Sequence, residues 1–148
     1  MGGPSGTDMK RALLTAFVFL LLPLSSVYAQ TVPLEVWVIG ASREPGGRID
    51  PEILSLVQDF KRDFAYTSFE LLQKRTGQVD QQRPFRTPIP GGRDLNVALV
   101  GADQKRVELK VTTSGVKTRV RIHRGGSPFV VGGPAYRDGV LIIAIFAR

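Results

Sequence analysis

The 148-residue chain contains no cysteine, one histidine, one tryptophan and one asparagine. Without cysteine it can form no disulfide framework, zinc–thiolate site or thiol nucleophile, and it has no thiol to lipidate. The lone histidine, His123, excludes a multi-histidine metal site. Asn96 is not in a glycosylation sequon. The apolar runs are too few for a polytopic membrane protein, and the hydrophobic content of 43% is too high for a disordered chain. What is present in excess is positive charge, with 20 Lys+Arg against 13 Asp+Glu.

The N-terminus reads as an export signal. Met9-Lys10-Arg11 is a short positive segment, and Ala12 to Leu24 is nearly unbroken apolar sequence. Ser25-Ser26-Val27-Tyr28-Ala29 then places small residues three and one before a cut after Ala29. The apolar stretch is shorter than the ~20 residues a spanning helix needs, and Pro23 interrupts it. Cleavage is favoured over an uncleaved anchor. Residues 1–8 have no place in this pattern, which makes Met9 a candidate true start. The expectation is a signal peptide over 1–29 and a single domain over 30–148. That domain carries net charge +6 and no transmembrane span after cleavage. Export without disulfides, together with 14 Arg to 6 Lys, suits a bacterial periplasmic or secreted protein.

Within the domain, Leu34–Ile39 is rich in β-branched and aromatic residues and predicts a first strand. Gly40–Arg48 predicts a loop. Asp50, Pro51 and Glu52 then form a helix start, with Asp50 placed to cap. Ile53, Val57, Phe60 and Phe64 follow at spacings of 4, 3 and 4, which make one apolar helix face. Residues 65–72 could extend the helix, but Tyr66, Thr67, Ser68 and Phe69 favour a strand from about Tyr66. Prolines 84, 88 and 90 make 78–90 an edge strand or irregular arm.

From Leu95 the chain alternates as antiparallel sheet. Pairing Val111 with Val116 sets Leu109 against Thr118 and Val107 against Val120, with all the apolar residues on one face. Pro128–Val131 and Gly139–Phe146 are two further strands, joined by a loop over 132–138. The last strand is apolar on both faces, so it is central or covered on both sides. The predicted fold class is α+β: one N-terminal helix packed on a mostly antiparallel, curled β-sheet or small sandwich of about seven strands.

Three segments, Phe69-Glu70-Leu71-Leu72, Pro90-Gly91-Gly92-Arg93-Asp94-Leu95 and Gly132-Gly133-Pro134 with Asp138-Gly139-Val140-Leu141-Ile142, resemble small uncharacterised exported proteins of proteobacteria and related bacteria. The resemblance covers most of 60–147; it implies export and a strand at 66–73, and brings no catalytic residues. Gly125–Gly133 is similar in shape to the Gly-rich hairpin of secretin cores, in a chain much too short to be one.

The hairpin also predicts a basic strip. Opposite its apolar face lie Arg106, Glu108, Lys110, Lys117, Arg119, Arg121 and His123, with Arg124 adjoining. In the expected register Glu108 faces Arg119, Arg106 faces Arg121, and Lys110 faces Lys117. This is either a solvated outer face or a docking surface for an envelope protein, an anionic envelope polymer or lipid headgroups. Nucleic acid is disfavoured by export and by the lack of interleaved aromatics.

The glycine pairs match neither a P-loop nor a dinucleotide fingerprint and read as turns, so no cofactor is expected. His123 has no nucleophile-elbow sequence nearby, and Asp59 and Asp63 sit beside Lys61 and Arg62 on an ordinary exposed face. No catalytic residue is assigned. Trp37 and Tyr136 are aromatic binding candidates. Trp37 is exposed if only one face of the first strand is buried, a reading matched by a strand buried on both faces. An aromatic on a turn such as Tyr136 is more often a lid over the end of the core than a binding residue.

The functional expectation is a non-enzymatic exported envelope protein that acts by binding or assembly. One alternative is an accessory component of an outer-membrane secretion or surface-structure assembly. Another is a small secreted hydrolase or carbohydrate-active enzyme.

Overall fold

A computed structural model describes residues 30–148. The expected signal peptide lies outside the described residues. Eight strands form: β1 (Val32–Ser42), β2 (Ser68–Val79), β3 (Phe85–Ile89), β4 (Arg93–Ala102), β5 (Arg106–Thr113), β6 (Val116–His123), β7 (Phe129–Tyr136) and β8 (Gly139–Ala147). One short helix, α1 (Leu54–Phe60), is flanked by 3-10 turns at Pro51–Ile53 and Lys61–Asp63.

The strands make two four-stranded sheets, A in the order β2-β1-β8-β7 and B in the order β3-β4-β5-β6. Every ladder is antiparallel. Strands consecutive in sequence are neighbours wherever they share a sheet, and β8 returns to pair with β1. The path is thus an up-and-down meander that closes on itself as a flattened barrel, open along two seams, β2/β3 and β6/β7. At the first seam Gln73 Nε2 donates to Pro88 O (2.8 Å) and Thr87 Oγ1 (3.3 Å). The Phe85 ring lies directly over Gly77, where any Cβ would collide with it.

The main core lies between the sheets. Val32, Leu34, Val36 and Val38 from β1 and Leu141, Ile143 and Ile145 from β8 meet Leu95, Val97, Val107, Leu109, Val111 and Ile122 from sheet B. The alternate residues of the same strands, Ile39, Ala41, Ile142 and Ala144, face outward and are covered by Ile53, Leu56, Val57 and Phe60. β1 and β8 are therefore buried on both faces, which explains why they read as near-continuous apolar runs. A bulge in β2 leaves Leu72 unpaired between Gln73 (opposite Val38) and Leu71 (opposite Ile39). It turns Leu71 toward the helix and Leu72 toward the sandwich.

Several expectations are corrected. The helix is not N-terminal: it lies between β1 and β2 and has only seven residues of α geometry, although the Ile53, Val57 and Phe60 face is buried as expected. Asp50 does not cap it; its Oδ2 accepts from the Leu71 backbone N–H at 2.8 Å, tying the helix entry to β2. Among the described residues there are eight strands, against about seven expected. β7 runs through Gly132, Gly133 and Pro134 to Tyr136, because β8 offers it a pairing partner as far as Gly139. The strand from about Tyr66, the proline-bearing edge strand and the doubly covered last strand are all found. Among the described residues no helix is long and apolar enough to cross a membrane.

Candidate functional site

Sheet A has its outer face covered by the helix layer, whereas among the described residues no element lies over the outer face of sheet B. Pairing lays its side chains out in rows. Arg86, Asn96, Thr112 and Lys117 share one row across β3 to β6, and Ala98, Lys110 and Arg119 share the next. Glu108 and Arg121 make a third and Arg106 and His123 a fourth. All six strip cations predicted on β5 and β6, counting His123, lie on this face and are exposed.

The hairpin register differs from the expected one by two residues. Thr113, not Val111, pairs with Val116, because the turn is the tight pair Ser114-Gly115 with Gly115 at φ +78°. A shift of two preserves the faces but changes the partners. Glu108 now faces Arg121, Lys110 faces Arg119, and Arg106 faces His123. Glu108 still reaches Arg119 diagonally, with Nε–Oε1 at 3.7 Å. An exposed pair of that length is worth ~0–1 kcal/mol. Lys110 and Arg119 remain as like charges directly across a ladder, which is unfavourable.

Arg124 is not part of the strip. Its Nε donates to Asp103 O at 2.9 Å and its Nη1 to Arg148 O at 3.2 Å, which holds the β6 exit against the ends of β4 and β8. Asp103 caps the β4–β5 turn by accepting from the backbone N–H groups of Lys105 and Arg106, both at 2.7 Å. Those two bonds keep its carboxyl below the usual aspartate value. Arg86, by contrast, was not foreseen. It stands on β3 with its Nε donating to Asn96 Oδ1 at 3.2 Å. The signal was the alternation of Phe85, Thr87 and Ile89 with Arg86 and Pro88, obscured by the prolines around it.

Trp37 and Glu35 share the outer face of sheet A, with Val36 and Val38 turned into the sandwich. Trp37 is half-buried: it packs on Phe146 (ring centroids 5.1 Å apart), and Lys74 Nζ lies 4.4 Å from its ring centroid. Its Nε1 donates to Glu35 Oε1 at 2.7 Å, and Arg148 donates to Glu35 Oε2. Lys74 also bridges to Glu52 at 2.9 Å. The Arg148 bond first, and the Trp37 bond second, hold the Glu35 carboxyl below its ordinary value. Trp37 takes part in this clasp among β1, β2, the helix entry and Arg148, with Lys74 over its ring.

Tyr136 lies at the mouth of a cleft of about 530 Å³ at one end of the sandwich, with Arg48, Glu70, Arg137 and Asp138 around it. The Arg137 guanidinium covers the Tyr136 ring at 5.1 Å, and the ring packs against the sandwich core. Tyr136 is thus half-buried between the core and the Arg137 side chain. The charged lining of the cleft is of both signs, Arg48 and Arg137 with Glu44, Asp50, Glu70 and Asp138.

His123 is exposed at the end of β6, opposite Arg106, far in the fold from that cleft. Among the described residues no group of three or more His, Asp or Glu could hold a metal ion. No protein-family model, curated protein or solved structure matches this chain.

Proposed function

We propose that this chain is a non-enzymatic, exported module of the bacterial envelope that binds or assembles with an anionic partner through the open face of sheet B. The observation that carries the proposal is the persistence of like charge across β5 and β6, with one carboxylate among the residues facing outward there. Discouraging edge-to-edge pairing requires charge only on the edge strands β3 and β6. Arg106 and Lys110 stand on the interior strand β5. Solubility alone is served at least as well by acidic residues. An anionic partner would neutralise the repulsion that the fold itself leaves uncompensated.

The hydrolase reading has less behind it. The only histidine is exposed on an open sheet face, and its side chain makes no hydrogen bond among the described residues. An accessory role in an outer-membrane assembly is one form the proposed docking could take.

The test is binding of a soluble polyanion, long-chain polyphosphate, at roughly physiological and then high salt. Binding should be salt-reversible. It should disappear in the triple variant Lys117→Glu, Arg119→Glu, Arg121→Glu, whose thermal unfolding should stay close to that of the parent because surface changes usually cost under ~0.5 kcal/mol each. Binding that survives the triple reversal removes this face from consideration.

A further inference from the structure

The charge is divided unevenly between the two halves of the sandwich. Residues 80–124, which contain all of sheet B and its turns, hold ten Lys or Arg and four Asp or Glu. The remaining described residues hold eight of each sign. The net charge of the described residues, +6, therefore lies wholly on the sheet B half, and their other half, bearing sheet A and the helix, is neutral. Such a molecule has a strong electrostatic orientation: in the field of an anionic object it turns sheet B toward it.

The shape of the basic face limits what that object can be. Its cations are spread in two dimensions. Successive outward residues on a strand stand roughly 7 Å apart and neighbouring strands roughly 5 Å apart. Arg106, Lys110, Lys117, Arg119 and Arg121 thus occupy a patch rather than a line, with Arg86 displaced across the sheet by the small neutral residues Asn96 and Ala98. Among the described residues the one large exposed apolar side chain, Leu54, is on the helix side, so none stands on this face. A broad, uncovered, polar and cationic sheet face matches a planar array of negative charge.

Resting on the reading of this face as an anion-docking surface, we infer that its partner is an anionic lipid bilayer, contacted through headgroups with sheet B parallel to the membrane and the helix layer facing away. Binding is peripheral and electrostatic, without insertion. Each Lys or Arg of the patch contributes about fivefold to the partition coefficient near an anionic surface, falling off within about 10 Å at ordinary salt.

The sole tryptophan makes the orientation measurable. Trp37 is on the outer face of sheet A, on the far side of the sandwich from the docking face. The experiment uses the full chain with vesicles of phosphatidylcholine alone or mixed with phosphatidylglycerol, and with soluble polyphosphate. The neutral vesicles account for any partitioning through the apolar residues 12–24.

Binding to the phosphatidylglycerol vesicles should exceed that to neutral vesicles by tenfold or more and reverse with salt. The triple reversal at 117, 119 and 121 should remove that excess. Arg86→Glu should weaken it several-fold, and Arg62→Glu, on the opposite side, should leave it unchanged. Brominated phosphatidylglycerol should not quench the Trp37 signal beyond what brominated neutral vesicles do.

Polyphosphate binding without vesicle binding would overturn the bilayer inference while leaving the anion-docking reading intact. Loss of both would overturn both. Excess quenching of Trp37, or vesicle binding indifferent to the triple reversal, would overturn the proposed orientation and with it the inference.

Discussion

Lys110 offers a direct test of whether the basic face is maintained against the interests of the fold. It stands opposite Arg119 on one side and Ala98 on the other. Changing Lys110 to Glu removes one like-charge cross-strand pair and creates one of opposite sign; each change is worth ~0.2–1 kcal/mol. Against this, an attraction to Glu108, two residues away on the same face at roughly 7 Å, becomes a repulsion, a swing of ~1.2 kcal/mol in water before screening. The diagonal cations Lys117 and Arg121, at similar distance, swing the other way by at least as much. Lys and Glu differ little in strand preference.

The expected outcome is therefore a gain of about 0.5–1 kcal/mol at low salt, or roughly 2–4 °C in Tm. In ~1 M salt, where the Debye length is ~3 Å, the gain should nearly vanish. Urea unfolding suits the measurement because urea adds no ions. The same variant should bind polyphosphate several-fold more weakly. A stability gain coupled to a binding loss is what a face kept for function would show. A variant less stable than the parent at low salt, or a gain that persists at high salt, would refute the electrostatic argument.

Two further outcomes follow from the packing. Gly139 begins β8 against β1, where a Cβ would collide with the Ala41 carbonyl oxygen and stand 3.0 Å from Ser42 Cα. Both neighbours are backbone of the central strand β1 and cannot yield cheaply, so Gly139→Ala should cost about 3 kcal/mol; a loss under ~0.5 kcal/mol in urea unfolding would contradict the register. Glu35 has its pKa lowered below 4.5 by Arg148 and Trp37, so its ionised form stabilises the fold above that pH and the contribution fades as pH falls through the lowered value. Glu35→Gln should therefore lower Tm at neutral pH, with the gap to the parent narrowing on acidification; a gap that does not change with pH would show that the clasp is not ionic.

Much of the candidate face was legible in the chain. The alternation of Val107, Leu109 and Val111 with Arg106, Glu108 and Lys110 assigns each residue to a face whatever its partner, because the side-chain period of a strand is two. The register was not legible from that alternation, since pairing Val111 or Thr113 with Val116 preserves the faces equally well. The choice between them rests on turn geometry: Ser114-Gly115 closes a two-residue hairpin with Gly115 at positive φ. Arg124 lay beyond reach for a different reason, since its partners are the carbonyls of Asp103 and Arg148, residues distant in sequence. Arg86 was hidden because an edge strand tolerates proline, which in sequence looks like a break.

What the amino-acid sequence determined by itself was local: which segments extend, which residues of each strand face inward, the apolar stripe of the helix, and the one-signed face of the β5–β6 hairpin. These follow from periodicity and chain stereochemistry, which need no knowledge of neighbours. Only the tertiary structure decided that β8 returns to pair with β1, that the helix covers sheet A and leaves sheet B open, and that the net charge gathers on one half. Those features depend on contacts between residues far apart in the chain, Val38 with Ile143 or Glu35 with Arg148. Their free energy appears only once the loops between them are closed, and no local pattern records it.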